Sequence, residues 1–85
     1  MDYRQVFATN LRRIRHEKGI SQESLAHEAD VNRTYMSKLE AGGSYVGLEV
    51  MVKLADVLGV EPADFLTKPS KSAERASKAA KKRPA

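Results

Sequence analysis

The sequence predicts an all-α domain of five short helices, with the second and third forming a helix-turn-helix, followed by a basic C-terminal tail. Apolar residues recur at three- and four-residue spacing, and no segment alternates between apolar and polar residues as a strand would. Gly19 and Gly59 stand where left-handed residues commonly end helices. At 85 residues the chain has room for one small domain. We therefore expect a helical domain over residues 1–66 and a tail over residues 67–85.

The predicted helices follow one another at short intervals, and most have a recognisable first or last residue. Ser21 and Asn32 are the expected N-caps of the second and third helices. Only Asp30 and Val31 join these two helices, so the helices must cross sharply, and Asp30 is expected to adopt a left-handed conformation. The predicted helices cover residues 3–18, 22–29, 33–40, 48–58 and 62–66.

The third helix has two sides of opposite character. Met36 and Leu39 share one side at helical spacing. The other side has no carboxylate and carries side chains that can bond base edges or phosphates, namely Arg33, Thr34, Ser37 and Lys38. Any surface helix has a polar side, but this composition is also that of a helix that lies in the major groove of DNA. We predict that these four residues contact bases.

The net charge of +4 is unevenly distributed along the chain. Residues 67–85 contain seven basic residues and one acidic residue, a net charge of +6, which leaves −2 for residues 1–66. Overall basicity is therefore weak evidence that the helical domain binds DNA. The tail has no large apolar residues beyond its start, so we expect it to be flexible and at most partly helical.

Catalysis and metal binding have little support in this sequence. The chain has no Cys, and its two histidines, His16 and His27, lack the spacing of metal ligands. We expect no enzymatic activity, no catalytic residue, no cofactor and no metal. We expect no signal peptide, and the sequence contains no apolar run of about 18 residues, so we expect a cytoplasmic protein, associated with the nucleoid, with no membrane partner.

The fourth helix is apolar around most of its circumference. In helical projection, one apolar sector is formed by Leu48, Met51, Val52, Ala55 and Leu58, and a nearly opposite sector by Val50, Leu54 and Val57. A helix with two apolar sides needs cover on both. We predict that the second sector, Val50, Leu54 and Val57, is a homodimer interface. The alternative is a protein-interaction or antitoxin-type module that uses the same surface to bind a different protein.

From about Val6 to Leu66 the sequence resembles the phage repressor and Cro type of helix-turn-helix domain, an XRE-like fold. The resemblance is carried by LRRIRHEKGISQESLA, VNRTYMSKLEAG and LEVMVKLADVLGVEPADFL. Within that family, the segment NRTY at residues 32–35 is most similar to controller proteins of restriction-modification systems, which are small dimeric regulators of their own promoters. The resemblance implies a homodimeric, sequence-specific transcriptional regulator on double-stranded DNA. It would occupy a palindromic operator and block or recruit RNA polymerase.

The resemblance also bears on individual residues. Gln22, at the start of the second helix, is expected to bond the DNA backbone as its counterpart does in the family. Asn32, Tyr35 and Ser44 are further candidates for backbone contact; for Tyr35 the alternative is a half-buried ring, and for Ser44 a place in a flexible connector. A family pair that ties the first helix to the end of the third is matched by Arg15 and Glu40.

Overall fold

The structure is a computed structural model that describes residues 2–68. Within that range it contains α1 (Tyr3–Lys18), α2 (Gln22–Glu28), α3 (Arg33–Glu40), α4 (Leu48–Leu58) and a 3₁₀ helix, η1 (Pro62–Leu66). The all-α prediction is confirmed. None of these helices is long and apolar enough to span a membrane. The predictions for the basic tail concern residues that, from 69 onward, lie outside the described part of the chain.

The predicted fifth α-helix is instead the 3₁₀ helix η1, so the described residues contain four α-helices. Pro62 begins η1 without a backbone N–H, and Glu61 and Asp64 bond each other's backbone amides in a capping box. Thr67 then returns the chain to an extended conformation. Five residues between these boundaries form too few hydrogen bonds to offset the unfavourable free energy of nucleating an α-helix, so the segment forms the tighter 3₁₀ turn.

Left-handed residues end helices at the predicted positions. Gly19 and Gly59 both have φ of 70°, and Asp30 has φ of 57°. Among residues 2–68, Asp30 is the only residue other than glycine with positive φ. This conformation reverses the chain between α2 and α3 over a few residues, and Asp tolerates it better than most side chains do. The predicted left-handed turn at Asp30 is therefore confirmed.

The core lies where α1 crosses α3 and η1, with α2 and α4 closing its sides. The Phe7 ring of α1 meets the Phe65 ring of η1 edge to face, with centroids 5.2 Å apart. Met36 and Leu39 of α3 are fully buried beneath these helices. Because the inner side of α3 is used for packing, its opposite side is left facing outward.

The contact of α4 with the core corrects the predicted dimer interface. Leu54 is fully buried, whereas Leu48 and Val52 are 71% and 40% exposed. Leu54 therefore cannot contact a partner, and its assignment to the interface is wrong. Val50 and Val57 are partly buried against the same core. The buried residues of α4 come from both predicted sectors, so the side that packs on the core lies between them, and helical projection does not determine this rotation.

A buried asparagine on α1 holds η1 in place. The side-chain amide of Asn10 donates to the carbonyl oxygens of Phe65 at 2.8 Å and Thr67 at 2.6 Å. Its own oxygen accepts from Arg13 Nη2 at 3.2 Å. These bonds satisfy buried polar groups at the end of the helical domain, and they determine where the chain leaves it.

Candidate nucleic-acid interface

The helix α3 is anchored on its inner side and free on its outer side. Its first turn is capped by Asn32, whose side-chain oxygen accepts from the Tyr35 amide at 3.1 Å. With its two large apolar side chains fully buried, α3 exposes the four residues predicted to contact bases, Arg33, Thr34, Ser37 and Lys38. The structure brings these four side chains onto one face, which we call the α3 face; their contacts with bases stay a prediction.

One carboxylate lies at the edge of the α3 face. Glu23 Oε2, from α2, is 3.8 Å from Arg33 Nη1, and both side chains are largely exposed. Such a pair is weak because water screens it, so Arg33 can turn toward another partner. The sequence of α3 alone contains no carboxylate near Arg33, and the approach of Glu23 depends on how α2 and α3 cross.

The carboxylate of Glu40 joins three helices behind the α3 face. It is 5% exposed, and Arg15 of α1 bonds it through Nε at 2.6 Å and Nη2 at 3.1 Å. Gln22, at the start of α2, donates to the same carboxylate at 3.3 Å. Arg12 donates to the Glu40 carbonyl oxygen. These bonds help to orient α3 relative to α1 and α2. In this structure the Gln22 side chain bonds Glu40, and its contact with DNA stays a prediction.

The hydroxyl of Tyr35 binds the loop that follows α3. It donates to the Tyr45 carbonyl oxygen at 3.0 Å and accepts from the Gly47 amide at 3.2 Å. These two bonds attach the loop to α3, and Ser44 directly precedes Tyr45 in that loop. The Tyr35 ring is half-buried, which was the alternative to DNA contact, and its hydroxyl bonds the loop. Backbone contacts by Tyr35 and Ser44 remain predictions.

The N-terminal end of α1 reaches the same loop, a contact that sequence reasoning missed. The guanidinium carbon of Arg4 lies 5.0 Å from the centroid of the Tyr45 ring, and Tyr45 is 70% exposed. Arg4 also pairs with Asp2 at 3.0 Å. Their side-chain hydrogen bonds lower the pKa of Asp2 and raise the pKa of Arg4 from their ordinary values. The one signal in the sequence was an aromatic residue in a glycine-containing loop.

Comparison with known proteins agrees with this arrangement. A helix-turn-helix family model matches residues 11–65. The control protein C.BamHI of Bacillus amyloliquefaciens is 44% identical over 64 residues, covering 74% of this chain and 79% of that protein. The restriction-modification controller protein C.AhdI from Aeromonas hydrophila is 37% identical, with a TM-score of 0.70 over 73% of this chain and 94% of that chain. A hypothetical transcription factor from Neisseria, NHTF, is 38% identical with a TM-score of 0.78, covering 89% and 84% of the two chains.

The chain belongs to the helix-turn-helix family of DNA-binding transcriptional regulators. Within that family it is similar to the control proteins of restriction-modification systems, as the NRTY segment at residues 32–35 indicated. The resemblance on which the site predictions depend is thereby confirmed. The family is one of transcriptional regulators and not of enzymes.

Proposed function

We propose that this protein is a sequence-specific transcriptional regulator that binds a palindromic DNA operator as a homodimer. The main support is the α3 face, where four side chains suited to base edges and phosphates are exposed above a fully buried inner side. Similarity to control proteins supports action at promoters, including its own. The dimer would act in the cytoplasm, at the nucleoid, where it would block or recruit RNA polymerase. We propose that the protein acts by binding DNA and not as an enzyme.

In this proposal α3 lies in the major groove with its first turn nearest the bases. Arg33 donates two hydrogen bonds to a guanine, and Thr34 offers a methyl group to thymine. Ser37 and Lys38 reach bases one turn further along. The backbone contacts flank this turn and come from Gln22, Asn32, Tyr35 and Ser44.

We infer that the dimer interface is centred on Leu48 and Val52, which lie one turn apart on α4. Leu48 is the most exposed large apolar side chain among residues 2–68, and contact with water makes such a surface unfavourable. A second copy of the chain would cover it. Val50 and Val57 stay predicted interface residues, although only part of each side chain is free for a partner.

Selection of bound sequences from a random duplex library with the purified full-length protein tests the proposed function. We expect a palindrome whose half-site centres lie about 34–36 Å apart, one helical turn. If no sequence is enriched, the proposed function is wrong.

The role of Arg33 is tested on the selected operator. Arg33→Ala should weaken binding by about 1–3 kcal/mol and relax the preference at one base pair in each half-site, because alanine cannot donate the two hydrogen bonds to guanine. Competition against single-base operator variants measures both effects. Arg13→Ala is the control, since Arg13 is an exposed arginine paired with Glu17 on α1. Uniform weakening across all operator variants would reassign Arg33 to the DNA backbone.

A further inference from the structure

We propose that Arg4 is a phosphate-binding residue, so that the N-terminal end of α1 belongs to the DNA interface together with the α3 face. The inference rests on the proposed function, because it takes the phosphates to be those of the bound duplex. It adds a contact from outside the helix-turn-helix. Three features of the structure carry it: the path of the loop, the stacking of Arg4 and the exposure of its ion pair.

The loop that carries Tyr45 is bonded to the first turn of α3. The hydroxyl of Tyr35 bonds both the Tyr45 carbonyl oxygen and the Gly47 amide, at 3.0 and 3.2 Å. Tyr35 directly follows Thr34 in the first turn of α3. The loop is therefore bonded to a side chain of the first turn of α3, and in this proposal a duplex lying on that turn passes close to Tyr45.

The first turn of α1 is attached to the same loop at two points. Arg4 stacks on the Tyr45 ring, with 5.0 Å from its guanidinium carbon to the ring centroid. The side chain of Gln5 packs so closely on Gly42 that it would meet a Cβ atom added there, and Gly42 has φ of 77°. A cation on a ring that is itself 70% exposed is displayed to solvent at a defined position.

Asp2 is the competitor for Arg4 in the free protein. It accepts from Arg4 Nε at 3.2 Å and from Arg4 Nη2 at 3.0 Å, and its side chain is 41% exposed. A pair this open to water is weak, and a guanidinium has donors enough to bond a phosphate while it stays on the ring. Because the carboxylate also repels phosphate, its removal should strengthen DNA binding. Asp2 additionally caps α1 by accepting from the Arg4 amide at 3.0 Å.

The chain offers a matched control on the same helix. Arg13 and Glu17 form an exposed ion pair at 3.2 Å, with the same charges as Arg4 and Asp2. Arg13 also bonds Asn10, whose amide group holds η1, so this pair is attached to a different part of the domain. Substitutions in the two pairs change the net charge equally, but only those at Arg4 and Asp2 change the charge beside Tyr45.

The experiment measures the affinity of full-length wild type, Arg4→Gln, Asp2→Asn, Arg13→Gln and Glu17→Gln for duplex DNA over a series of salt concentrations. The probes are the selected operator and a random-sequence duplex of about three helical turns, roughly 30 base pairs. Arg4→Gln should reduce the slope of log affinity against log salt by about 0.9 for each protomer bound. Both probes should lose affinity by the same factor, because phosphate contacts do not read sequence.

The Asp2 variant gives a change of opposite sign. Asp2→Asn should raise the affinity for both probes, and Asn preserves the cap of α1. Tyr45→Ala should lower affinity as Arg4→Gln does, whereas Tyr45→Phe keeps the ring and should bind as wild type. Combining Tyr45→Ala with Arg4→Gln should add little to either single change.

The inference is overturned if Arg4→Gln changes the salt slope no more than Arg13→Gln, or if it alters base preference. It also fails if Asp2→Asn has no larger effect than Glu17→Gln. Circular dichroism of each variant identifies any loss of helix that would itself weaken binding. If Arg4→Gln has lost helix, the inference is judged on the Asp2→Asn and Tyr45→Phe results. If the wild type binds neither probe, the proposed function itself is refuted. That result differs from failure of the Arg4 inference, in which the wild type binds and the variants do not change the salt slope as expected.

Discussion

Two buried polar side chains, Asn10 and Glu40, connect the helices of the described domain. Each is at most 5% exposed, and each bonds at least two partners. A buried polar group without partners costs more free energy than a bonded one contributes, so such residues make one arrangement of the helices strongly preferred. Glu40 is the more consequential of the two because it bonds α1 and α2 from the end of α3.

Removal of Arg15 should leave the Glu40 carboxylate buried without its main partner. We expect Arg15→Ala to lower the free energy of unfolding by about 3–5 kcal/mol, measured by urea denaturation. Glu17→Ala, which breaks only the exposed ion pair with Arg13, should cost about 1 kcal/mol or less. Equal losses for the two variants would mean that Glu40 is adequately solvated without Arg15.

The orientation of α4 decides which apolar residues remain for a partner. Leu54, Ala55 and Leu58 pack on the core although they belong to different predicted sectors, and the flank with Leu48 and Val52 stays exposed. Because α4 is apolar around most of its circumference, the side that packs inward is determined by the shape of the surface that α1, α2 and η1 present to α4. This rotation moves the proposed interface away from Leu54.

Substitutions on the two sides of α4 should therefore differ in kind. Val52→Asp should give a folded monomer with much weaker operator affinity, because a charge is placed in the interface while the core is untouched. Leu54→Ala should lower the free energy of unfolding by about 2–5 kcal/mol through the cavity that it leaves. Sedimentation and urea denaturation measure the two effects. If the wild type is monomeric both free at tens of micromolar and on DNA, the homodimer is refuted.

The distribution of charge over the whole chain sets the expected behaviour with salt. Residues 67–85 have a net charge of +6, whereas residues 1–66 have −2. Nonspecific attraction to DNA is therefore expected to come mainly from the tail, and base preference from the α3 face. Arg4 would be a local exception, a single cation of the acidic domain held beside the recognition helix.

Deletion of residues 70–85 should flatten the salt dependence of binding by about 0.9 for each phosphate that the tail neutralises. Affinity for operator and random duplex should fall together, while base preference stays as in the full chain. The measurement is the same salt series, performed on both lengths of the protein. Equal slopes would show that the tail has no role on DNA, and a changed base preference would mean that it enters a groove.

Local interactions explain why so much of the fold was predictable. The bounds of α1, α3 and α4, the caps at Ser21 and Asn32 and the left-handed Asp30 all depend on residues within about one helical turn of each other. The inward side of α3 followed from the spacing of apolar residues. The short 3₁₀ helix was the exception, because a five-residue segment has too little helical spacing to distinguish its type.

Contacts between distant segments could be obtained only from the folded domain. Four such features join elements that are separate in sequence. They are the burial of Leu54, the bond from Gln22 to Glu40, the bonds of the Tyr35 hydroxyl to the loop and the stacking of Arg4 on Tyr45. Helical periodicity specifies which side chains share a face. It does not specify how one helix is rotated against the next, or which group a polar side chain will hydrogen-bond. Those depend on packing all the helices at once, since each position is constrained by the shape of the others.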